Sequence, residues 1–225
     1  MIEYTRAELV SDVRTLLDDS QYSATTITTA ANWFVHELAQ NNRLRLFEAS
    51  DDLYGSSGDT FVELPDDIMT MVNFYLTSPA VYDLMSHYCE YGDFMRNFPN
   101  YATASQAQAL EWTDFGNGVR FSRPLNADHT LTLDYMREPN EVSQDSDVFE
   151  VPGRYKEMLA KGTLVRIMEM NEDYAEASNE RKNLEPLVTA FVRLEGRGQI
   201  KTGPTVIRTN RRRTGGMRPG VVRDW

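Results

Sequence analysis

The hydrophobic pattern of this chain changes twice along its length, and the order of these changes constrains the fold more than any other feature. Leu9, Val13 and Leu16 recur at helical spacing near the beginning, and residues 155–194 contain two further helical stripes. Between them, apolar and polar residues alternate with a period of two, most clearly at 129–136. Because neither pair of helices has another apolar partner of helical length, helices from both ends should pack together.

Local signals predict where the first helices begin and end. Thr5 and Glu8 form the pattern of a capping box, and Tyr4 and Leu9 occupy the positions of a hydrophobic staple. The sequence Asp18-Asp19-Ser20 should end this helix. A second helix is predicted from Thr25 or Thr26 to about Phe47, with an apolar stripe of Ile27, Ala31, Phe34 and Leu38.

The middle of the chain is predicted to be mostly antiparallel β-structure. Asn117-Gly118 lies between two apolar runs, and its tolerance of positive φ suits a tight hairpin. Residues 50–58 and 102–109 are predicted to be loops. The predicted strands span residues 60–64, 68–76, 80–84, 110–115, 119–122 and 129–136.

Together these elements predict an α+β protein. We expect an antiparallel helical bundle from the N- and C-terminal helices (residues 1–50 and 151–196), an inserted antiparallel β lobe (51–150) and an extended C-terminal tail (197–225). Pro186 removes a backbone donor and should kink or restart the last helix.

Charge is distributed unevenly along the chain. Of 23 basic and 34 acidic residues, eight basic residues and one acid lie in 197–225, so the first 196 residues carry about −18 and the tail about +7. A body of this sign repels phosphate backbones and should not hold DNA. With no signal-peptide pattern and no run of about 20 apolar residues, we expect a protein made in a cytoplasm, without a membrane partner.

Residues capable of chemistry do not form a recognisable active site. A metal site at His87, Cys89 and Glu90 would need further ligands, so a half-buried structural pair is the favoured interpretation. The single cysteine, Cys89, excludes an internal disulfide. The acidic groups lie at element boundaries, where carboxylates cap helices and solvate turns; an enzyme would have to use Asp66, Asp67, Asp145 or Asp147. We therefore expect no enzyme, no metal and no cofactor.

The basic tail has three interpretations: a peptide that docks into a partner, a nucleic-acid-binding arm, and a solvated terminus without function. The run Arg211-Arg212-Arg213 suits either kind of binding. Trp225, preceded by Val221 and Val222, favours docking, because aromatic and arginine side chains are the usual interface anchors. The candidate docking residues are Arg208, Arg211, Arg212, Arg213, Arg218, Val221, Val222, Arg223 and Trp225.

The order of motifs resembles that of podovirus-type phage head-to-tail connector proteins, also called portal adaptor or head completion proteins. The resemblance covers nearly the whole chain. The first motifs are a strand with Leu64-Pro65-Asp66-Asp67 followed by a second strand, and the hairpin and strand of residues 117–125. The strand of 130–135, which ends in tyrosine, and Arg137-Glu138-Pro139 come next. The last motif begins at residue 147 and consists of an acidic loop, Val-Pro and a helix.

The resemblance implies a virion structural protein of a bacteriophage that takes part in virion assembly and DNA ejection. Such a protein forms a homo-oligomeric ring beneath the portal, usually a dodecamer, and continues the DNA channel. Its helical bundle makes the ring, its β lobe faces outward or tailward, and its C-terminal segment reaches the portal. The implied partners are the portal protein, other copies of the chain and a downstream tail or nozzle protein, with DNA passing through unbound. The alternative from the residues is a nucleic-acid-binding accessory protein that uses the arginine arm.

Overall fold

The computed structural model describes residues 3–78, 81–108 and 110–199, of which 197–199 are described by their backbone alone. It contains helices and antiparallel sheets, which confirms the predicted α+β class. The helices are α1 (Arg6–Leu17), α2 (Ala24–Asn41), α3 (Tyr91–Asn97), α4 (Lys156–Met170) and α5 (Tyr174–Glu195). The strands are β1 (Asn42–Leu44), β2 (Glu48–Gly55), β3 (Phe61–Glu63), β4 (Ile68–Ser78), β5 (Tyr82–Asp83), β6 (Trp112–Phe115), β7 (Gly118–Phe121), β8 (His129–Arg137) and β9 (Gly196–Gln199).

The described residues divide into two compact units. The helical unit comprises residues 3–49 and 136–199, and the sheet unit comprises residues 50–135. Residues 136–150, which the sequence analysis assigned to the β lobe, group with the helical unit. Two contacts account for this: the Arg6 N–H donates to the Asp147 carbonyl at 2.9 Å, and the Asn32 side chain exchanges two hydrogen bonds with the backbone of Val142, at 3.0 and 3.2 Å.

Helix α4 is the centre of the helical unit and contacts α1, α2 and α5. Gly162, near its middle, allows α2 to approach closely, because an added Cβ would overlap the ring of Phe34. The buried residues of α4 extend around most of its circumference: Met158, Leu159, Ala160, Gly162, Thr163, Leu164, Val165 and Ile167. A helix that is buried in this way takes its stability from packing rather than from a single amphipathic stripe.

The predicted beginning and end of α1 are confirmed. Thr5 and Glu8 form the complete capping box, with the Thr5 N–H donating to Glu8 Oε2 at 2.9 Å, and Asp18 ends the helix at φ 51°. Helix α2 ends at Asn41, earlier than the predicted Phe47. The reason is that Asn42 turns its side chain back to the Leu38 carbonyl at 3.1 Å while its backbone enters β1 and pairs with β9.

Helix α5 buries only three of its 22 residues, Ala177, Leu184 and Phe191, at intervals of seven. The rest of its surface is exposed or half-buried. The helix continues through Pro186 instead of restarting there. Pro186 lies on the exposed side, where the loss of one backbone donor is tolerated because water can bond the carbonyl that it leaves unpaired.

The sheet unit contains two sheets, one of strand order β2-β8-β4-β5 and one of order β3-β7-β6. Its core is built around Trp112, which is fully buried and donates from Nε1 to the Leu84 carbonyl at 2.7 Å. The rings of Phe74 and Tyr88 each meet the indole edge-on at 5.1 Å between centroids. Such aromatic contacts add to the stabilisation that comes from buried area.

The strands lie close to their predicted positions, but the buried face of β4 and the position of the hairpin turn differ from the prediction. The alternation of β8 is confirmed, but that of β4 shifts by one residue near Asn73, so Met69 and Met71 are buried before it and Phe74 and Leu76 after it. The hairpin pairs Phe115 with Gly118, which places the turn at Gly116-Asn117, one residue earlier than predicted. Gly116, with φ 62°, supplies the positive φ.

Strand β2 occupies a segment that was predicted to be a loop. Asp51-Asp52 is unfavourable in a strand by propensity alone. The segment is extended because it pairs with β8, and its polar side chains bond to those of the neighbouring strand: Thr132 donates to Asp52 at 2.6 Å and Ser50 to Asp134 at 2.7 Å. Tertiary pairing therefore overrides local preference here.

Candidate functional site

The residues predicted to dock a partner lie outside the described residues. They are Arg208, Arg211, Arg212, Arg213, Arg218, Val221, Val222, Arg223 and Trp225. Their role stays a prediction.

A groove between α2, α4 and α5 forms a concave surface of the helical unit, with a volume of about 410 Å³. Its floor is apolar: Phe34 and Leu38 come from α2, Val165 from α4, and Leu184 and Val188 from α5. Its lining also includes Glu37, Asn41, Asn42, Gly162, Arg166, Arg181, Lys182, Glu185 and Thr189. An apolar floor with a charged rim is typical of a site that binds another protein segment or an organic ligand.

Four charged side chains form a ring of alternating charge, and three of them, Glu37, Arg166 and Arg181, line the groove. Arg166 contacts Glu37, and its Nη1 lies 2.8 Å from Glu169 Oε2. Arg181 Nη2 lies 2.5 Å from Glu169 Oε1, and its Nη1 lies 4.0 Å from Glu37 Oε1. The ring joins α2, α4 and α5 and balances its own charge. Arg166 Nε is buried and has no hydrogen-bond partner among the described residues.

The strand pair β1–β9 lies at one end of the groove. Asn42, which lines the groove, is paired with Gln199, and Leu44 is paired with Gly196. Gln199, at the end of the described part of the chain, therefore lies beside the groove.

Asp51 and Asp67 of the sheet unit share one neutral donor, the hydroxyl of Tyr135. The Tyr135 hydroxyl lies 2.8 Å from Asp51 Oδ2 and 3.0 Å from Asp67 Oδ1. Burial raises the pKa of Tyr135 well above its usual value, and the two carboxylates raise it further. The hydroxyl therefore stays protonated as a donor between Asp51 and Asp67. This arrangement supplies hydrogen bonds rather than an acid and base pair.

The acidic residues at the end of the predicted lobe have structural partners. Asp145 forms an ion pair with Arg6, and Asp147 accepts the backbone N–H groups of Ser143 and Gln144 at 2.8 and 2.7 Å. These backbone hydrogen bonds lower the pKa of Asp147 below its usual value. The described residues contain no group of three or more His, Cys, Asp or Glu that could hold a metal ion.

His87 and Cys89, the other candidates for chemistry, have separate partners. His87 Nε2 lies 2.7 Å from the Tyr82 hydroxyl, and the Cys89 N–H donates to the Trp112 carbonyl at 2.8 Å. Burial raises the pKa of the Cys89 thiol, so the thiolate that would react or bind a metal is disfavoured.

The sheet unit also carries a half-exposed aromatic cluster beside the hairpin. The rings of Tyr91 and Phe115 stack with centroids 5.3 Å apart, and the two residues are 42% and 40% exposed. The guanidinium carbon of Arg120 lies 3.7 Å from the Phe115 centroid and 5.0 Å from that of Tyr101. Exposed aromatic rings with an arginine are the composition of interface anchors.

Neither the groove nor the aromatic cluster was predicted from the sequence. One signal for the groove was available, since a glycine such as Gly162 inside an amphipathic helix often marks the close approach of another element. The cluster depends on which residues of the hairpin pair with each other. The sequence prediction placed the turn one residue too late, so it gave the wrong pairing and the cluster was missed.

The described residues thus define an α+β protein with candidate contact surfaces on both units. The family model described as SU10 adaptor protein matches residues 4–210, and the chain therefore belongs to the SU10 adaptor protein family, a family of phage adaptor proteins. Membership makes it a phage structural protein and a virion component, of a class that is typically non-enzymatic. No curated protein matches the chain. The family match includes Arg208 and ends before Arg211. None of the described helices is long and apolar enough to span a membrane.

Proposed function

We propose that the protein is the head-to-tail adaptor of a tailed bacteriophage, which forms a ring beneath the portal, joins it to the tail and continues the DNA channel. The observation that carries this proposal is the family match over residues 4–210. The order of motifs, which resembles that of podovirus-type connectors, supports the same assignment. The proposed partners are the portal protein, further copies of the chain in a dodecamer and a tail or nozzle protein.

In this proposal the helical bundle forms the ring and the β lobe projects from it. Head-to-tail contacts between copies would use two different surfaces of each chain and close after a full turn. The long exposed side of α5 supports this, because a helix that buries only Ala177, Leu184 and Phe191 within its own chain has surface left for a neighbour.

The charge of the body suits a conduit for DNA. The first 196 residues carry about −18, and like charge prevents tight contacts with phosphate groups as the duplex passes. We therefore propose that DNA moves through the ring without specific binding.

The tail is proposed to dock onto the portal. Its arginines suit an acidic surface, and Val221, Val222 and Trp225 suit an apolar pocket. A segment that contributes interface only when the portal is present would make assembly sequential.

The test is to mix the purified chain with portal and examine the product by electron microscopy and sedimentation. We expect a ring attached to the portal, and we expect deletion of residues 209–225 to abolish attachment while circular dichroism stays unchanged. Normal attachment of the truncated chain would contradict tail docking.

The run Arg211-Arg212-Arg213 favours the second candidate, a nucleic-acid accessory protein. DNA binding that falls steeply with salt and disappears when these arginines become alanine, without attachment to portal, would establish that function instead.

A further inference from the structure

The groove between α2, α4 and α5 is a built surface with an apolar floor and no occupant within the described residues. Phe34, Leu38 and Val165 form the floor, and each is at most 4% exposed, so the floor is held by the packing of the unit. A volume of about 410 Å³ accommodates one large aromatic side chain together with one or two aliphatic ones.

Strand β9 ends beside this groove, so its position determines which segment of the chain can reach the groove. Asn42 pairs with Gln199 and also lines the groove, so the part of the chain that follows Gln199 begins at the groove's end. The 21 residues from 200 to 220 span up to about 70 Å when extended, much more than the size of the unit requires. Tethering at this distance gives a short peptide an effective concentration of about a millimolar.

The chemistry of the chain's last five residues matches that of the groove. Val221, Val222 and Trp225 are apolar, in keeping with the floor, and Arg223 and Asp224 carry one charge of each sign. The rim offers one charge of each sign outside the alternating ring, Lys182 and Glu185. Neither of these forms an ion pair within the described residues.

We propose that residues 221–225 dock into the groove of their own chain when the protein is free, with Trp225 on the apolar floor. The groove thus holds the proposed portal-docking residues until a partner displaces them. This contact forms within the free protein, without portal. If the contact is absent, the proposed adaptor function is unaffected, and if the protein does not bind portal, the contact can still form.

The test is photo-crosslinking of the full-length protein without any partner. Val222→p-benzoylphenylalanine leaves Trp225 in place, and we expect its crosslinks to fall on α2, α4 and α5 within a single chain. Adding Trp225→Ala should reduce the yield severalfold, because the anchor is lost. Val188→Glu should do the same by placing a carboxylate on the apolar lining, whereas Ala190→Glu, on the same helix outside the groove, should leave the yield unchanged.

Three results would overturn the proposal. They are crosslinks that map outside the groove, a crosslinked product with the mass of two chains, and a yield that Val188→Glu and Ala190→Glu change equally. Circular dichroism and thermal melting of each variant separate a loss of docking from a loss of folding.

Discussion

Four tyrosine hydroxyls donate hydrogen bonds to carboxylates in the described residues. They are Tyr4 to Asp12 at 2.7 Å, Tyr88 to Asp114 at 2.7 Å, Tyr135 to Asp51 at 2.8 Å and Tyr155 to Glu195 at 2.9 Å. In a chain with 34 acidic and 23 basic residues, neutral donors supply hydrogen bonds that cations are too few to provide, and Glu195 accepts from both Tyr155 and Arg154. The pKa of each phenol is raised, first by burial and then by its carboxylate partner.

These tyrosines predict the response of the protein to alkali. An unfolded tyrosine ionises near pH 10, whereas the four bonded phenols resist ionisation while the chain is folded. Their contribution to stability is therefore complete below about pH 10 and is lost as the pH rises above it.

In a titration followed by absorbance at 295 nm, the bonded tyrosines should ionise only as the protein unfolds. Tyr135→Phe should remove one residue from this late-ionising group. A single transition near pH 10 in protein that is still folded would contradict this expectation.

At the scale of elements, the contact between α2 and α4 depends on the absence of a side chain at Gly162. An added methyl group would meet the Phe34 ring, so Gly162→Ala should lower the free energy of unfolding by about 1–3 kcal/mol in spite of alanine's better helix propensity.

Gly92 in α3 is the matched control, because no atom lies within 4 Å of the position that its Cβ would take. Gly92→Ala should raise the free energy of unfolding by up to about 1 kcal/mol. Urea denaturation of both variants measures the difference, and a Gly162→Ala variant as stable as the parent would show that Phe34 has room to move.

Elements whose pattern lies within a few neighbouring residues were predicted from the sequence. Elements that depend on pairing with residues far away in the sequence were missed. The capping box of Thr5 and Glu8 and the alternation of β8 lie within a few residues, so α1 and β8 were predicted correctly. Strand β2 was missed because only its pairing with β8 makes Asp51-Asp52 extended. The end of α2 was misplaced because β1 exists only through its pairing with β9.

The candidate site was less predictable than the fold for the same reason. Phe34 was recognised as part of an apolar stripe, and Gly162 lies within the helical pattern predicted for residues 155–194, but no sequence pattern indicates that the two meet. Glu37, Glu169 and Arg181 come from three helices, and their ring of ion pairs forms only after those helices pack.

At the scale of the whole molecule, a body of about −18 and a tail of about +7 are joined at β9. If the groove holds residues 221–225, only the fraction of molecules with a released tail is competent to dock, and the apparent dissociation constant for portal is increased accordingly.

Val188→Glu should therefore tighten the binding of the free chain to portal severalfold, since it favours the released tail. Ala190→Glu lies outside the groove and should not produce this tightening. The measurement is a titration of immobilised portal with each variant. Weaker binding of Val188→Glu would indicate instead that the groove itself contacts the portal.

The pairing of β9 with β1 has a mechanical consequence. A tail attached to a partner transmits tension to residue 200, and the first element that bears this load is β9, held edge to edge against β1. Helix α5 ends at Glu195, so the load reaches it only after β9 has separated from β1. A pull on the tail can therefore separate a few backbone hydrogen bonds between β9 and β1 before it disturbs the packing around α4.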